Sequence, residues 1–413
     1  MSEWKRYKLN EIASLSNGIN FDKSAYTSGV KLIGVADFKD RVYPDYGSLQ
    51  EVDSKVVRNG DYLEKGDIVF VRSNGNKELV GRCMMIDRDI PVTFSGFCIK
   101  LHLIDKNKFE PAYFNYLFRT REFKKVMTGT AVGANIQNLS QSRLGNCEIN
   151  VPNIETQREL AIIISRYDSL IENYQKQIKL LEESAQRLYK EWFIDLRFPG
   201  HENTKIVDGV PEGWEKICID SLVGKLESGS RPKGGIDTSI KDGVASVGAE
   251  NVIGLGQYNF SSEKLVSYDF YNNAKKGRIE NKDILIYKDG AYIGRTSLFQ
   301  DNFPHKEAMI NEHVFLLHTK KEVNQYFLFF TLYQKVYFEK MQKLNKNAAQ
   351  PGLNQNAIKS LKLLMPNEKL IVRFDEIISP MMKVLFDLAN QIRHLTEARD
   401  HLLPKLMSRE IEI

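Results

Sequence analysis

The chain has 413 residues, of which 42% are hydrophobic and 27% charged, and its formal net charge at pH 7 is +5. This length suffices for two or three domains with separate cores. No run of about eighteen apolar residues is present and the first ten residues lack an apolar signal segment, so we expect no membrane span, no secretory signal and a cytoplasmic location.

The basic residues are concentrated in two blocks. Residues 1–152 hold 22 basic and 18 acidic side chains, and residues 196–366 hold 23 and 19, whereas the segments that follow each block have a net negative charge. A surplus of this size favours a polyanionic partner only weakly, because many solvated surfaces have it.

The cysteines lie far apart in the sequence. Cys83, Cys98, Cys147 and Cys218 form no CxxC pair and have no histidine at a spacing that suits zinc. We therefore expect reduced thiols, most of them buried.

The chain contains an internal repeat with an offset of about 214 residues. "LIGVADF" (32–38) matches "SVGAENV" (246–252), "EKGDIVF" (64–70) matches "ENKDILI" (280–286), and "LSQSRL" (139–144) matches "LNQNAI" (353–358). In both copies a Pro-Asn pair leads into a heptad segment. The repeat predicts two copies of one unit, each a globular part of about 150 residues followed by a long helix.

Each globular part is predicted to be mixed α and β. Short β-rich runs such as "DIVFV", "FCIKLHL", "DILIY" and "HVFLLH" alternate with Gly, Asn and Asp clusters, which is typical of strands and turns. An aromatic-rich helix is predicted late in each copy, over "PAYFNYLFRTREFKKVM" and "NQYFLFFTLYQKVYFEKMQKL".

The long helices have apolar residues at alternating spacings of three and four. Asn153 or Thr156 is predicted to cap the first helix. Arg399 interrupts the stripe of the second, and Pro380 and Pro404 are predicted to kink or delimit it. The predicted seam, which indicates a narrow coiled-coil contact, consists of Ile164, Tyr167, Ile171, Tyr174, Ile178, Leu181, Leu188, Ile378, Met381, Leu385, Leu388, Ile392, Leu395 and Leu402.

Two stripes of this kind are most simply buried by pairing with each other, antiparallel if the copies are related by a two-fold axis. At about 1.5 Å per residue, the stripe from Ile164 to Trp192 spans roughly 42 Å. One turn of B-DNA measures about 34 to 36 Å, so two modules held this far apart suit a gapped DNA site. A coiled coil that only dimerises or spaces domains fits the same geometry.

The chain resembles the specificity subunit of type I restriction-modification systems. "LSQSRL" before "INVPNIETQREL", then "RLYKEWFIDLRFPG" (187–200), "GVPEGWEK" (209–216) and "RDHLLPKLMSREIEI" (399–413) occur in that family's order over nearly the whole chain. Two positions depart from the family's pattern: Arg409 replaces an expected glycine, and the usual Gln early in the second long helix is missing. The start of that helix thus stays open between Asn367 and Pro380.

The resemblance implies an α+β chain with two tandem target-recognition domains and an antiparallel helical spacer. The corresponding boundaries are 1–152 for the first domain, 153–198 for the central helix, 199–213 for a linker, 214–366 for the second domain and 367–413 for the C-terminal helix and tail.

The resemblance also implies a non-catalytic DNA-recognition role. Each domain would read one half of a bipartite target in double-stranded DNA, and the helices would set the spacing and dock two methyltransferase subunits. The restriction, or translocase, subunits would be further partners that complete the nuclease. S-adenosylmethionine, ATP and Mg would bind to those partners, and this chain would hold no cofactor and no metal.

The absence of known catalytic motifs from the sequence agrees with this expectation. The sequence has no [DNS]PP[YF] tetrapeptide, no FxGxG loop and no GxxxxGK[ST] loop, and its histidines form no HExxH pair. A packing or surface role for His313 and His318, on a predicted strand, is favoured over metal binding.

The DNA-binding candidates lie in loops rich in Arg, Lys, Asn, Gln and Gly. Phosphates attract cations and backbone amides, guanine edges pair with Arg, and adenine edges pair with Asn or Gln. A polar turn or a helix cap on a solvated surface explains these loops equally well. The candidates are Arg72, Asn74, Asn76, Lys77, Arg82, Asn135, Gln137, Arg231, Lys233, Lys288, Tyr292, Arg295, Asn347 and Gln350.

Two alternatives stay open. One is a scaffold whose two domains bind proteins and are separated by a coiled coil, and the other is an enzyme with an unrecognised site. Near the end of the first helix, Tyr189, Phe193 and Phe198 suit either a docking surface or packing against the recognition domains.

Overall fold

The computed structural model describes residues 4–38, 41–74, 79–128, 138–290, 292–344 and 352–411. The chain divides into two compact units, which we call the first unit (residues 1–170 and 395–413) and the second unit (residues 171–394). None of the helices in these ranges is long and apolar enough to cross a membrane.

The first unit contains short strands, short helices and the outer parts of two long helices. Its strands are β1 (Lys5–Lys8), β2 (Ala13–Asn17), β3 (Tyr26–Ile33), β4 (Gln50–Val52), β5 (Ile68–Val71), β6 (Cys83–Met85), β7 (Val92–Phe94), β8 (Cys98–Leu103) and β9 (Glu148–Val151). Its short helices are α1 (Leu9–Ile12), α2 (Pro111–Arg119), α3 (Arg121–Thr128) and α4 (Gln141–Gly145), and they precede the long helix α5 (Ile154–Tyr189).

The main sheet of the first unit has the order β2-β8-β5-β6, with antiparallel neighbours. Its inner strand β5 is buried at every position, which explains why "IVFV" is a continuous apolar run without alternation. A second sheet has the order β4-β3-β7, in which β3 and β7 are parallel, and β1 pairs with β9.

The second unit begins within α5, which a π-helical turn at Lys190–Ile194 follows. Its strands are β10 (Ile206–Val207), β11 (Val210–Pro211), β12 (Glu215–Cys218), β13 (Val223–Ser228), β14 (Val244–Val247), β15 (Val252–Gly254), β16 (Gln257–Tyr258), β17 (Lys264–Val266), β18 (Asp283–Tyr287), β19 (Thr296–Phe299), β20 (Ala308–Ile310), β21 (Val314–Thr319) and β22 (Lys362–Met365). Its helices are α6 (Tyr268–Asn273), α7 (Gln325–Tyr333), α8 (Lys335–Leu344), α9 (Gln355–Lys359) and the long helix α10 (Glu368–Ser408), whose last turns belong to the first unit.

The second unit repeats the strand topology of the first. Its main sheet has the order β13-β21-β18-β19, its second sheet has the order β17-β14-β20 with a parallel β14–β20 pair, and β12 pairs with β22. The registers also agree, since Ile68 faces Leu101 in one sheet and Ile284 faces Leu317 in the other. The predicted fold class, two mixed α and β copies that each precede a long helix, is confirmed.

The predicted aromatic helix of each copy is two helices. Thr120 separates α2 from α3 and Gln334 separates α7 from α8, and both residues have extended backbone angles. The aromatic residues on either side belong to one core, so a pattern of buried residues continues across a break in the backbone.

The long helices begin at equivalent positions. The Asn153 side chain accepts a hydrogen bond from the Thr156 amide at 2.8 Å, and the Asn367 side chain accepts one from the Leu370 amide at 3.0 Å. The start of α10 therefore follows Asn367 and not Pro380. Of the two predicted effects of Pro380 and Pro404, delimiting the helix is wrong, because α10 continues through both and its buried apolar residues compensate for the missing amides. A kink at these positions stays a prediction.

The two long helices run antiparallel within each unit. The core of the first unit contains Ile164, near the start of α5, together with Leu406, near the end of α10. The core of the second unit contains Ala185, near the end of α5, together with Phe374, near the start of α10.

The buried face of α10 is broader than the predicted narrow seam. Met382, Phe386 and Ala389 are buried beside the predicted Ile378 and Leu385. The wider face follows from packing, because α10 shares one core with α5 and with the aromatic helix α7.

The aromatic residues that follow α5 are buried in the second unit. Phe193 packs edge-on against Phe327 and Phe374, and Phe198 packs against Trp214. Tyr189 donates or accepts a hydrogen bond with Thr331 at 2.8 Å. Of the two predicted roles for these side chains, packing within the domain is confirmed, and a docking surface is wrong.

Candidate nucleic-acid interface

The loops that follow β5 and β18 have the same backbone geometry. The Arg72 amide donates to the Phe97 carbonyl and the Arg72 carbonyl accepts from Leu139, in each case at 2.8 Å. In the second unit the Lys288 amide donates to the His313 carbonyl and the Lys288 carbonyl accepts from Leu353, in each case at 3.0 Å. The repeat therefore places one basic residue at the same corner of each unit.

The Gly-Arg pair that both loops contain has a backbone explanation. Gly81 and Gly294 have φ angles of +79° and +87°, which residues with a Cβ rarely adopt. The carbonyl of the following arginine accepts from Val71 in one unit and from Tyr287 in the other, at 2.8 Å in both. This shared turn places the Arg82 and Arg295 side chains at the same position of the two folds.

The two arginine side chains have different environments. Arg295 stacks on the ring of Tyr292, with 3.9 Å between the guanidinium carbon and the ring centroid, and Tyr292 is 54% exposed. Arg82 is half-buried and donates to the Phe38 carbonyl at 3.4 Å. Equivalent backbones thus hold the two arginine side chains against different neighbours.

Arg82 lines a cleft of about 630 Å³ in the first unit. Its described lining includes six Lys or Arg side chains and three carboxylates, which makes it predominantly cationic. The lining cations are Arg41, Arg82, Arg119, Arg121, Lys124 and Arg399.

Arg119 connects two walls of this cleft. Its guanidinium donates to the Arg41 carbonyl at 2.9 Å and to the Cys83 carbonyl at 3.2 Å. Arg121 follows at the break between α2 and α3 and is exposed. The sequence-based candidates lie in loops and do not include these arginines, although "FRTREFKK" is a visible basic run.

Two predicted residues of the second unit meet at Glu312. The Arg231 Nε lies 3.2 Å from a Glu312 carboxylate oxygen, and the Lys288 ammonium donates to the Glu312 carbonyl at 3.1 Å. The second Glu312 carboxylate oxygen is buried without a hydrogen-bond partner. Lys233 is exposed. The pairing with Glu312 partly neutralises this basic cluster.

Several candidates fall on residues whose structure is not described. Asn74 is the last described residue of its loop and is half-buried. The candidates outside the described residues are Asn76, Lys77, Asn135, Gln137, Asn347 and Gln350.

The residues predicted for the helix seam are all buried or half-buried. The half-buried ones are Tyr167, Tyr174, Leu181, Leu188, Met381, Ile392, Leu395 and Leu402, and the buried ones are Ile164, Ile171, Ile178, Ile378, Leu385 and Leu388.

Arg399, which interrupts the apolar stripe of α10, forms an ion pair with α5. The Arg399 Nη1 lies 2.6 Å from the Asp168 Oδ1 within the first unit. Burial disfavours the charge of Arg399, but the hydrogen bonds and charges of Asp168 and Asp400 more than offset this and raise the pKa of the guanidinium.

Two half-buried histidines have structural partners. His102 and His318 pair with Asp67 and Asp283, each at 2.7 Å. In the described part of the chain, no group of three His, Cys, Asp or Glu side chains could hold a metal ion.

As predicted, most of the cysteines are buried. Burial raises the pKa of the Cys83 and Cys98 thiols to about 12 and that of Cys147 to about 11, while Cys218 is exposed.

A family model for the type I restriction modification DNA specificity domain matches residues 1–183 and 211–397, one match for each repeat. The chain belongs to this family. It is a DNA-recognition subunit of the non-catalytic specificity class.

Proteins that are similar to this chain agree with the family assignment. The MjaIX specificity subunit of Methanocaldococcus jannaschii is 26% identical over 329 residues, which cover 76% of this chain and 72% of the relative. The HindI specificity subunit of Haemophilus influenzae is 22% identical, with both chains fully covered. The crystal structure of the type I S subunit from M. genitalium has the same fold, with a TM-score of 0.60 at 16% identity, covering 98% of this chain and 96% of that one.

Proposed function

We propose that this specificity subunit reads a bipartite, gapped target in double-stranded DNA, with one half-site assigned to each globular domain. The proposed domains are residues 1–152 and 214–366, joined by the central helix at 153–198 and a linker at 199–213, with the second helix and tail at 367–413. The observation that carries the proposal is the duplicated fold, in which equivalent corners present different basic side chains.

The cationic cleft of the first unit supports a phosphate contact. Arg121 and Lys124 line it together with Arg41 and Arg82, and DNA phosphates attract such clusters irrespective of base sequence. Arg82, which lines the cleft, and Arg72, which directly follows β5, are the candidates for base edges in the first half-site.

In the second unit, the Tyr292–Arg295 stack supports base reading. The ring limits the orientations of the guanidinium, and an arginine held in one plane can donate two hydrogen bonds to a guanine edge. Lys288, Arg231 and Lys233 are proposed to contact phosphates, together with the candidates Asn347 and Gln350.

The helices and partners complete the proposal. The antiparallel α5 and α10 would set the gap between the half-sites, and their exposed faces would bind two methyltransferase subunits and the restriction subunits in the cytoplasm. S-adenosylmethionine, ATP and Mg would be bound by those partners.

The test uses the chain assembled with its methyltransferase subunits. Nuclease protection on random-sequence DNA should give two short protected segments separated by a constant gap, and affinity should fall steeply with salt because counterions are released. Binding without sequence preference contradicts the proposal. Affinity for a protein ligand that changes little with salt favours the scaffold alternative, and methyl transfer by the purified chain alone favours an enzyme.

A further inference from the structure

The ion pair between the long helices is largely shielded from solvent, although both residues line the cleft of the first unit. The Asp168 side chain is 13% exposed and the Arg399 side chain 20% exposed. The second Asp168 carboxylate oxygen is also buried, and Asp168 interacts with the Tyr116 hydroxyl, whose pKa is raised by burial and by this carboxylate. Such a pair is a costly way to hold two helices together, because both charges lose most of their hydration.

The equivalent layer in the second unit is apolar. The helix caps Asn153 and Asn367 are 214 positions apart, so Met382 corresponds to Asp168 and Ala185 corresponds to Arg399. Met382 and Ala185 are both completely buried in the core of the second unit. The ionic layer therefore breaks the approximate symmetry of the helix pair.

This asymmetry distinguishes the correct pairing from the most similar wrong ones. Because α5 and α10 have the same pattern, two copies of the chain could pair α5 with α5 and α10 with α10. The first pairing places Asp168 opposite Ala185 of the other copy, and the second places Arg399 opposite Met382. The first leaves the Asp168 carboxylate without its cation, which is strongly unfavourable, and the second leaves Arg399 with only Asp400 of its own helix as a partner.

We propose that Asp168 and Arg399 specify the pairing of α5 with α10 of the same chain and exclude pairing of like helices between copies. A buried polar contact at one position of a coiled coil has this effect on partner choice. If the proposed DNA reading holds, like pairing would join two identical readers, and the ion pair keeps the two different readers together. The pairing inference itself does not require DNA binding.

The test uses full-length copies that carry two different affinity tags. The tagged copies are unfolded together in denaturant, refolded as a mixture and purified through both tags. The double variant Asp168→Met with Arg399→Ala carries the residues of the apolar layer and should fold. We define mixed assemblies as those that carry both tags. The double variant should yield at least about ten times more of them than the wild type, the ratio that a pairing preference of about 1.4 kcal/mol gives.

Control variants distinguish this effect from non-specific association. The reversed pair Asp168→Arg with Arg399→Asp should stay as free of mixed assemblies as the wild type. Mixing copies that are already folded should give none for any variant, since the helices exchange only on unfolding. The proposal is overturned if the refolded apolar variant forms no more mixed assemblies than the wild type, or if folded copies form them on mixing.

Discussion

The Nδ1 atom of His318 lies 2.7 Å from the Oδ1 atom of Asp283, and the other carboxylate oxygen accepts the Glu280 amide at 2.7 Å. Asp67 holds His102 and the Glu64 amide in the same way in the first unit. Burial raises the pKa of Asp283, while the hydrogen bonds from Glu280 and His318 limit the rise. These contacts close the turn before the inner strand of each main sheet.

Replacing Asp283 with Ala should lower the free energy of unfolding by about 1 to 3 kcal/mol, because the Glu280 amide and His318 lose a buried acceptor. Asp67→Ala should do the same in the first unit. His318→Gln is the control with a smaller effect, since His318 is partly exposed. Denaturant unfolding measures the change, and an Asp283→Ala chain as stable as the wild type would refute the structural role.

Replacing Arg121 with Gln should weaken binding of the assembled complex to all duplexes by a similar factor and reduce the slope of affinity against salt by about one contact. The variant removes an exposed cation from the lining of the cleft without touching the core. Arg58→Gln is the control, because Arg58 is exposed in the same unit but does not line the cleft. Equal losses for both variants would argue against a phosphate site in the cleft.

Replacing Arg295 with Ala should relax recognition in the second half-site alone, at a cost of about 1 to 3 kcal/mol in base discrimination. The turn should persist, since its hydrogen bonds use the backbone of residue 295. Arg82→Ala is the matched change in the first unit. Methylation of a randomised target library measures both, and the assignment fails if both variants relax the same half-site.

Replacing Glu182 with Gln should stabilise the chain at neutral pH. Burial raises the pKa of Glu182 above its ordinary value of 4.5, although hydrogen bonds from Tyr333 and Gln186 oppose the rise. When the pKa of a carboxyl is higher in the folded state than in the unfolded state, the free energy of unfolding falls as pH rises through the folded pKa. The advantage of Gln over Glu should therefore grow from about pH 4.5 upward and vanish below it, and a constant difference between the two chains would contradict this.

Much of the fold was predictable because repetition and burial leave strong patterns. The fully apolar inner strands and the heptad stripes are visible in the sequence, and their repetition doubles each signal. The breaks at Thr120 and Gln334 were not predictable, because aromatic residues on both sides belong to one core and mask the change of direction.

The candidate site was less predictable than the fold. The loops that contain Arg82 and Arg295 were found because their sequences repeat. The cleft was missed, since Arg41, Arg119 and Arg121 meet only after folding. In the sequence, Arg399 only interrupts the apolar stripe, because its ion-pair partner Asp168 lies 231 residues away.

The Arg409 departure from the family pattern has a structural counterpart. Arg409 has a φ of +68° directly after α10, a conformation that favours glycine, and its guanidinium lies 4.3 Å from the ring centroid of Trp4. A contact between distant segments thus accompanies a residue that local preference disfavours.

The most direct test of the central claim is a map of methylated adenines in DNA exposed to this chain with its methyltransferase partners. If the two domains read different half-sites as proposed, the map should show a single asymmetric motif of two short half-sites with one constant gap. A continuous motif, a palindromic motif, or methylation without a motif would contradict the account.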